Sequence, residues 1–212
     1  MTKHIDPRTW ERRDQFDFFM AFDQPFFNVC TEVRLTNLRT AARQSGSSIF
    51  LAFLHAALTA AHQVPAFRQR LDGDQVVEYD RVHTAVTVRS AHDTFRFCWL
   101  DYVPEFAPFQ QAARERMEKA AQETGPLEPH GGRTDVIHVS SLPWIRFTSL
   151  MHPRKSGKSD SVPKLVFGRF FEQNGEVLLP LSIEVHHALA DGIHIAHFLD
   201  SYQSILDHPQ SY

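Results

Sequence analysis

The sequence predicts an α+β fold in which helices pack on a largely antiparallel sheet. Segments with helical periodicity and short runs with strand character are mixed along the chain. Asn174-Gly175, between two apolar runs, is the strongest two-residue signal for a β-hairpin and therefore predicts antiparallel pairing. The chain has 212 residues, of which 42% are apolar, and this suffices for one sizeable core or two small ones.

The first quarter of the chain predicts helices around one strand. A short helix is predicted within residues 9–22, and the alternation in the middle of residues 26–35 predicts a strand. Thr36 is expected to cap the next helix, and Ser47 or Ser48 the long apolar helix that follows.

The remainder predicts a β-rich middle, an amphipathic helix over residues 105–123 and a final helix over about 192–206. Residues 124–135 and 152–163 are predicted to be loops. The following runs are predicted to be strands: "QVVEYD", "TAVTVRS", "TFRFCWLDY", "VIHVSSL" (ended by Pro143), and the two arms of the hairpin in "KLVFGRFFEQNGEVLLPLSIEVHH".

Charge and composition argue against several classes of function. A net charge of -3 and the absence of a polybasic run give no reason to expect nucleic acid or an anionic membrane as a partner. The longest apolar-rich run, residues 48–61, is too short to span a bilayer, and the first residues do not resemble a signal peptide. With only Cys30 and Cys98, no disulfide framework is expected, which favours a cytoplasmic protein.

The stretch "IEVHHALADGIHIAHFLDSYQ" concentrates histidines and aspartates where a strand runs through a tight turn into a helix. Strand alternation places Ile183, Val185 and His187 on one face, and His186 on the other with polar neighbours. The alternation therefore predicts that His187, which ends the apolar face, is the desolvated histidine.

Two other interpretations of these histidines compete with a catalytic role. A metal site could use His194 and His197, which are three residues apart on a helix, with the two upstream histidines. Those two point to opposite faces and no cysteine is near, so no metal site is expected. Alternatively, Asp191 caps the last helix and a histidine merely happens to end a strand.

Four stretches favour a catalytic interpretation. "HHALADG", with His187, Asp191 and Gly192, resembles the His-x-x-x-Asp-Gly signature of the coenzyme-A-dependent acyltransferases. "TWERRDQFDFF", "VSSLPWIRF" and "LLPLSIEVHHALADGIHIAHFL" resemble the chloramphenicol acetyltransferase family in the same order. The resemblance implies a two-layer sandwich of helices on a mixed, largely antiparallel sheet, forming one catalytic domain over residues 1–212. Dihydrolipoamide acyltransferase cores share the signature, but this chain has no room for their lipoyl domain.

The resemblance implies a role for each catalytic residue. A hydroxyl of the acceptor attacks the thioester of acetyl-CoA directly, and His187 is the general base. The other ring nitrogen of His187 is expected to bond the residue's own carbonyl. Ser140 is implied as the donor to the oxyanion. Arg12 and Asp191 are implied as an ion pair that anchors the turn presenting the histidine.

The resemblance also implies the binding residues and the partners. Phe19, Phe27 and Phe95 are expected in the acceptor pocket, and Trp144 and Arg169 near the coenzyme. Acetyl-CoA is a co-substrate, and no bound cofactor is expected. The protein is expected to be a homotrimer whose active sites lie between subunits, acting on a small hydroxyl-bearing acceptor.

Three departures from the family pattern leave the acceptor open. Phe19 stands in place of a pocket tyrosine, Pro25 differs at another pocket position, and Val166 replaces a threonine that orders a water near the oxyanion. The acceptor could therefore be another alcohol, an amine or a thiol, or the chain could be a non-catalytic trimeric binding protein. Retention of the complete catalytic set argues against the last alternative.

Overall fold

The computed structural model describes residues 2–125, 127, 132–154, 160–209 and 212, apart from the side chain of His92. Parts of the two predicted loops, residues 126, 128–131 and 155–159, lie outside the described residues. The described helices are α1 (Arg13–Met20), α2 (Thr36–Ser45), α3 (Ile49–His62), α4 (Pro65–Arg68), α5 (Phe106–Gln122) and α6 (Gly192–Asp207). The described strands are β1 (Thr2–Ile5), β2 (Phe26–Arg34), β3 (Gln69–Asp72), β4 (Gln75–Tyr79), β5 (His83–Arg89), β6 (Phe95–Leu100), β7 (Val136–Leu142), β8 (Lys164–Gly168), β9 (Phe171–Gln173) and β10 (Glu176–His186).

The main sheet is mixed and largely antiparallel, as predicted. Its strand order is β2-β10-β8-β7-β5-β6, with β9 also paired to β10. The β5–β7 and β7–β8 pairs are parallel, and the others are antiparallel. The predicted hairpin joins β9 to β10, and Asn174 (φ 52°) and Gly175 (φ 82°) both adopt the left-handed conformation that a tight turn of this kind needs.

Helices α2, α3, α5 and α6 cover one face of this sheet. The apolar helix α3 is buried almost throughout and contacts α2, α5 and α6. The sheet contributes Leu165, Phe167, Leu181 and Ile183 to the core beneath this helix, and none of them is more than 1% exposed. The predicted two-layer arrangement is therefore confirmed, and the core lies between the helices and one face of the sheet.

A second, smaller sheet supports the end of β10. Strands β1, β4 and β3 pair antiparallel, and this sheet was not predicted as a unit because β1 and β3 are only four residues long. A separate apolar cluster contains Phe16, Leu71, Val76, Ala188 and Leu189. The turn after β10 is thus packed against the N-terminal helix and the small sheet.

The structure confirms one helix cap that the sequence predicts and contradicts another. Ser48 caps α3 by accepting a hydrogen bond from the Leu51 N–H. The prediction for Thr36 was wrong, because Thr36 is the first helical residue of α2 and its hydroxyl accepts the N–H of Val177 at 2.9 Å. The threonine therefore ties α2 to β10. Within the described ranges, no helix is long and apolar enough to cross a membrane.

We expect Gly168→Ala to lower the melting temperature. A Cβ there would lie 2.9 Å from Pro180 Cβ and 3.1 Å from both the Ile145 carbonyl oxygen and a ring carbon of Phe147. Overpacking of this kind costs about 1–3 kcal/mol of unfolding free energy. Gly192→Ala is the matched control for thermal denaturation, since nothing lies within 4 Å of its added Cβ. Equal melting temperatures for the two variants would show that the segment around Ile145 shifts to make room for the added Cβ without loss of stability.

Candidate active site

The turn that follows β10 presents His187. The strand ends at His186, whose carbonyl accepts the N–H groups of Leu189 (3.0 Å) and Ala190 (3.1 Å). The His187 N–H donates to the Pro25 carbonyl at 2.7 Å, which ties the turn to the start of β2. The turn backbone is therefore held on both sides of the histidine.

His186, not His187, is the desolvated histidine, so that prediction was wrong. His186 is 4% exposed, whereas the His187 side chain retains 31% of its exposure. Because β10 is central and covered on both faces, alternation does not separate buried from accessible residues, and His187 lies beyond the strand end. Burial, followed by the charge of Arg154, lowers the pKa of His186 to about 4. Its Nδ1 accepts the N–H of Ala188 at 3.2 Å, so the ring is neutral and supports the turn.

Two phenyl rings hold the imidazole of His187. Phe19, from α1, stacks on it with a centroid distance of 3.7 Å and an interplanar angle of 8°. Phe27, from β2, lies 4.4 Å away at a 40° tilt. These contacts restrict the ring without using a hydrogen-bonding atom of the imidazole.

Arg12 and Asp191 form a bidentate ion pair next to this ring. Arg12 Nη1 bonds Asp191 Oδ2, and Nη2 donates to Oδ1 at 3.0 Å. The same Nη2 also donates to the carbonyl of His187 at 3.4 Å. The hydrogen bonds from Arg12 lower the pKa of Asp191 and so keep it ionised. One guanidinium therefore binds both ends of the turn from His187 to Asp191.

The expected bond between the His187 ring and its own carbonyl is not formed. Within the described part of the chain, the buried Nδ1 has no hydrogen-bond partner, and it lies 3.3 Å from Asp191 Oδ1 without hydrogen-bond geometry. The carbonyl accepts a hydrogen bond from Arg12. The polar group beside Nδ1 is thus the carboxylate of Asp191, which is also the group that anchors the turn.

His194, which the sequence offered only as a possible metal ligand, completes the turn. Asp191 caps α6, and the Nδ1 of His194 accepts the backbone N–H of Asp191 at 2.9 Å, forming a reciprocal capping box. The signal was present, since an aspartate followed three residues later by a polar side chain is the spacing of such a box. Histidine is not the usual residue at the N3 position of such a box, so the sequence pattern does not point to it.

A cavity of about 630 Å³ holds the second group of candidate residues. Ser140 lies on its wall, and Phe95 and Trp144 line it while remaining 47% and 63% exposed. Arg169, exposed at the end of β8, donates its N–H to the carbonyl of Ile145 at 2.8 Å, which places it next to the segment that carries Trp144. The cavity is lined by Thr87, Val88, Arg89, Asp93, Thr94, Phe95, Ser140, Ser141, Leu142 and Trp144.

The strand register separates this cavity from His187. Ser140 pairs with Val166 on β8, and Val166 pairs with Ser182 on β10. Two strand spacings across the sheet, combined at right angles with the five-residue rise from Ser182 along β10 to His187, give a separation of roughly 19 Å. Within one chain, the candidate base and the candidate oxyanion donor therefore belong to different surfaces.

A charged cluster also covers the face of β10 away from the helices, and the sequence did not indicate it. Arg154 bonds Glu184 and donates to Asp160 at 2.8 Å, and Lys164 donates to Asp160 at 3.3 Å. Burial disfavours the ionised form of Glu184, but His152 and Arg154 outweigh it and lower the pKa to about 2. Among the residues whose placement is described, no group of three or more His, Cys, Asp or Glu could hold a metal ion.

The ion pair is tested by a double-mutant cycle. Arg12→Ala leaves the charge of Asp191 unbalanced, and Asp191→Asn leaves the charge of Arg12 unbalanced. Because these side chains are only 32% and 15% exposed, respectively, each variant should lower the unfolding free energy. Allowing for this exposure, we expect about 1–3 kcal/mol for each. The double variant should lose less than the sum, measured by denaturant unfolding at neutral pH. Strict additivity would show that the two side chains do not stabilise each other.

Comparisons of sequence identify the relatives of this chain. The sequence model of the chloramphenicol acetyltransferase family matches residues 1–203. A chloramphenicol acetyltransferase of Streptomyces acrimycini is 32% identical over 208 residues, covering 97% of this chain and 94% of the relative. Chloramphenicol acetyltransferase 2 of Escherichia coli is 28% identical over 205 residues, covering 96% of each chain.

Comparisons of structure agree with this result. A solved chloramphenicol acetyltransferase superposes with a TM-score of 0.89 at 29% identity, covering 97% of this chain and all of the other. The dihydrolipoamide acetyltransferase of Azotobacter vinelandii gives a TM-score of 0.68 at 19% identity over 93% and 87% of the chains, which shows a shared fold alone. With the family model matching almost the whole sequence, the chain belongs to the chloramphenicol acetyltransferase family and is an acyltransferase.

Proposed function

We propose that the protein is an acetyl-CoA-dependent O-acetyltransferase that transfers the acetyl group directly to a hydroxyl, with His187 as the general base. The observation that carries the proposal is the presentation of this imidazole. It is partly exposed, it is held between Phe19 and Phe27, and its turn is anchored by Arg12. A base held in one orientation is what proton abstraction from a weakly acidic alcohol requires.

The proposed reaction has two proton transfers and one tetrahedral intermediate. Nε2 of His187 takes the proton of the acceptor hydroxyl as its oxygen attacks the thioester carbonyl. The hydroxyl of Ser140 donates to the resulting oxyanion. Collapse breaks the C–S bond, and the imidazolium returns its proton to the leaving thiolate. Nδ1 carries the other ring proton, and the carboxylate of Asp191, 3.3 Å away, stabilises the transient positive charge.

We further propose that the active site forms between subunits of a homotrimer. The His187 turn and the Ser140 cavity lie on different surfaces of one chain, so a head-to-tail arrangement can bring the turn of one subunit to the cavity of the next. In this arrangement Phe95 contributes to the acceptor pocket, and Trp144 and Arg169 lie on the coenzyme side. The site is incomplete in a single 1–212 domain.

Chloramphenicol is the first acceptor to test, because the relatives are named for it. The aromatic surroundings of His187 suit an acceptor with an apolar body. Phe19 and Val166 offer no hydroxyl where the resemblance implies one, so another alcohol, an amine or a thiol is the alternative. Reaction in the cytoplasm, where acetyl-CoA is available, fits a chain with two free cysteines.

The assay is release of free CoA thiol from acetyl-CoA with a panel of acceptors that includes chloramphenicol. We expect His187→Ala to lower turnover by ~10²–10⁴-fold, since it removes the general base. His186→Ala is the matched control: it should keep much of the activity and lower thermal stability, because His186 supports the turn from a buried position. Loss of activity in His186→Ala with retention in His187→Ala would reverse the assignment.

Complementation tests the shared site. Co-expressed His187→Ala and Ser140→Ala subunits should recover activity that neither has alone, because about a quarter of the sites in a randomly mixed ring receive an intact histidine and an intact serine. His187→Ala co-expressed with a double variant lacking both residues is the control, since no intact His187 is present. No recovery in verified mixed oligomers would place the whole site within one chain.

A further inference from the structure

We propose that Thr87 is a positioning residue for the hydroxyl of Ser140, an inference that rests on the proposed function. Thr87 Oγ1 donates a hydrogen bond to Ser140 Oγ at 3.4 Å. Both residues line the same cavity, and both are half-buried. The contact lies at the atom from which the oxyanion is proposed to receive its hydrogen bond.

The sheet dictates this contact. Strand β7 runs between β8 and β5, so Ser140 has a neighbour on each side. On the β8 side the neighbour is Val166, which offers no polar side-chain atom. On the β5 side, Val86 pairs with Val139, and one residue further along the parallel strands Thr87 lies beside Ser140. Thr87 is thus the strand neighbour that supplies a hydroxyl to Ser140.

The direction of the bond matters for the chemistry. A serine hydroxyl has one proton, and donation to an oxyanion uses it. When Thr87 donates to Ser140, it occupies a lone pair of Ser140 Oγ, leaves the serine proton free and polarises the O–H bond toward the cavity. The separation of 3.4 Å is long for this bond, and contacts of this type tighten when the reacting groups are bound.

A structural role alone would give a different result. Valine has nearly the shape of threonine and suits a strand, so Thr87→Val removes the hydroxyl while preserving the packing. If the hydroxyl served only the sheet, its loss would change stability and not the chemical step. If it orients Ser140, its loss should lower kcat and leave KM for acetyl-CoA unchanged.

The experiment measures kcat and both KM values of the full-length protein with its best acceptor. We expect Thr87→Val to lower kcat by about 3- to 10-fold, the effect of one neutral hydrogen bond, and Thr87→Ser to restore most of it. Thr84→Val is the matched control, because Thr84 lies on the same strand as Thr87, does not line the cavity, and its hydroxyl bonds the Ile137 carbonyl at 2.9 Å. Its kcat should be unchanged.

Two further variants separate this inference from its alternatives. In a Ser140→Ala background, Thr87→Val should have no additional effect on kcat, because the hydroxyl it positions is gone. Val166→Thr should raise turnover more in the Thr87→Val background than in the parent protein, since it places a hydroxyl on the other side of Ser140. An unchanged kcat in Thr87→Val, or an equal effect with and without Ser140, would overturn the inference. If the parent protein releases no thiol with any acceptor, the proposed function fails instead.

Discussion

The arrangement of the site depends on the hydrogen bonds that the guanidinium of Arg12 makes to the turn after β10. The guanidinium pairs with Asp191 and donates to the carbonyl of His187, so a single side chain joins both ends of the turn. Arg12 comes from the N-terminal segment, far from the turn in sequence. A planar fork with several donors suits this task, because it can serve a carboxylate and a carbonyl at once.

The pair alone would not orient the imidazole, and the packing around it supplies the rest. Ala188 and Leu189 anchor the turn in the small core that the N-terminal helix shares with the second sheet. The rings of Phe19 and Phe27 then restrict His187 itself. The order of these contacts explains why the N-terminal helix lies beside the turn. It contributes Phe16 to the core and Phe19 to the site from one short element.

The sequence predicted the fold well where periodicity and turn chemistry are local. The Asn174-Gly175 hairpin and the long helix capped by Ser48 follow from neighbouring residues alone. The relative burial of His186 and His187 could not be predicted in this way, because it depends on what covers each face of β10. Arg154, thirty residues before Glu184 in the sequence, covers the polar face by bonding the Glu184 carboxylate. The pairing of Thr36 with Val177 is non-local for the same reason.

The two faces of the main sheet carry different kinds of residues. This difference explains how proteins with low sequence identity can share the fold. The helix-covered face holds the apolar core, for which many sequences of suitable size and polarity suffice. The opposite face carries Ser140, Thr87 and the ion pair of Glu184 with Arg154. A dihydrolipoamide acetyltransferase can therefore share the fold at 19% identity. Such a likeness reflects the shared core, whereas under the proposed function the acceptor is selected by the few side chains on the other face and around His187.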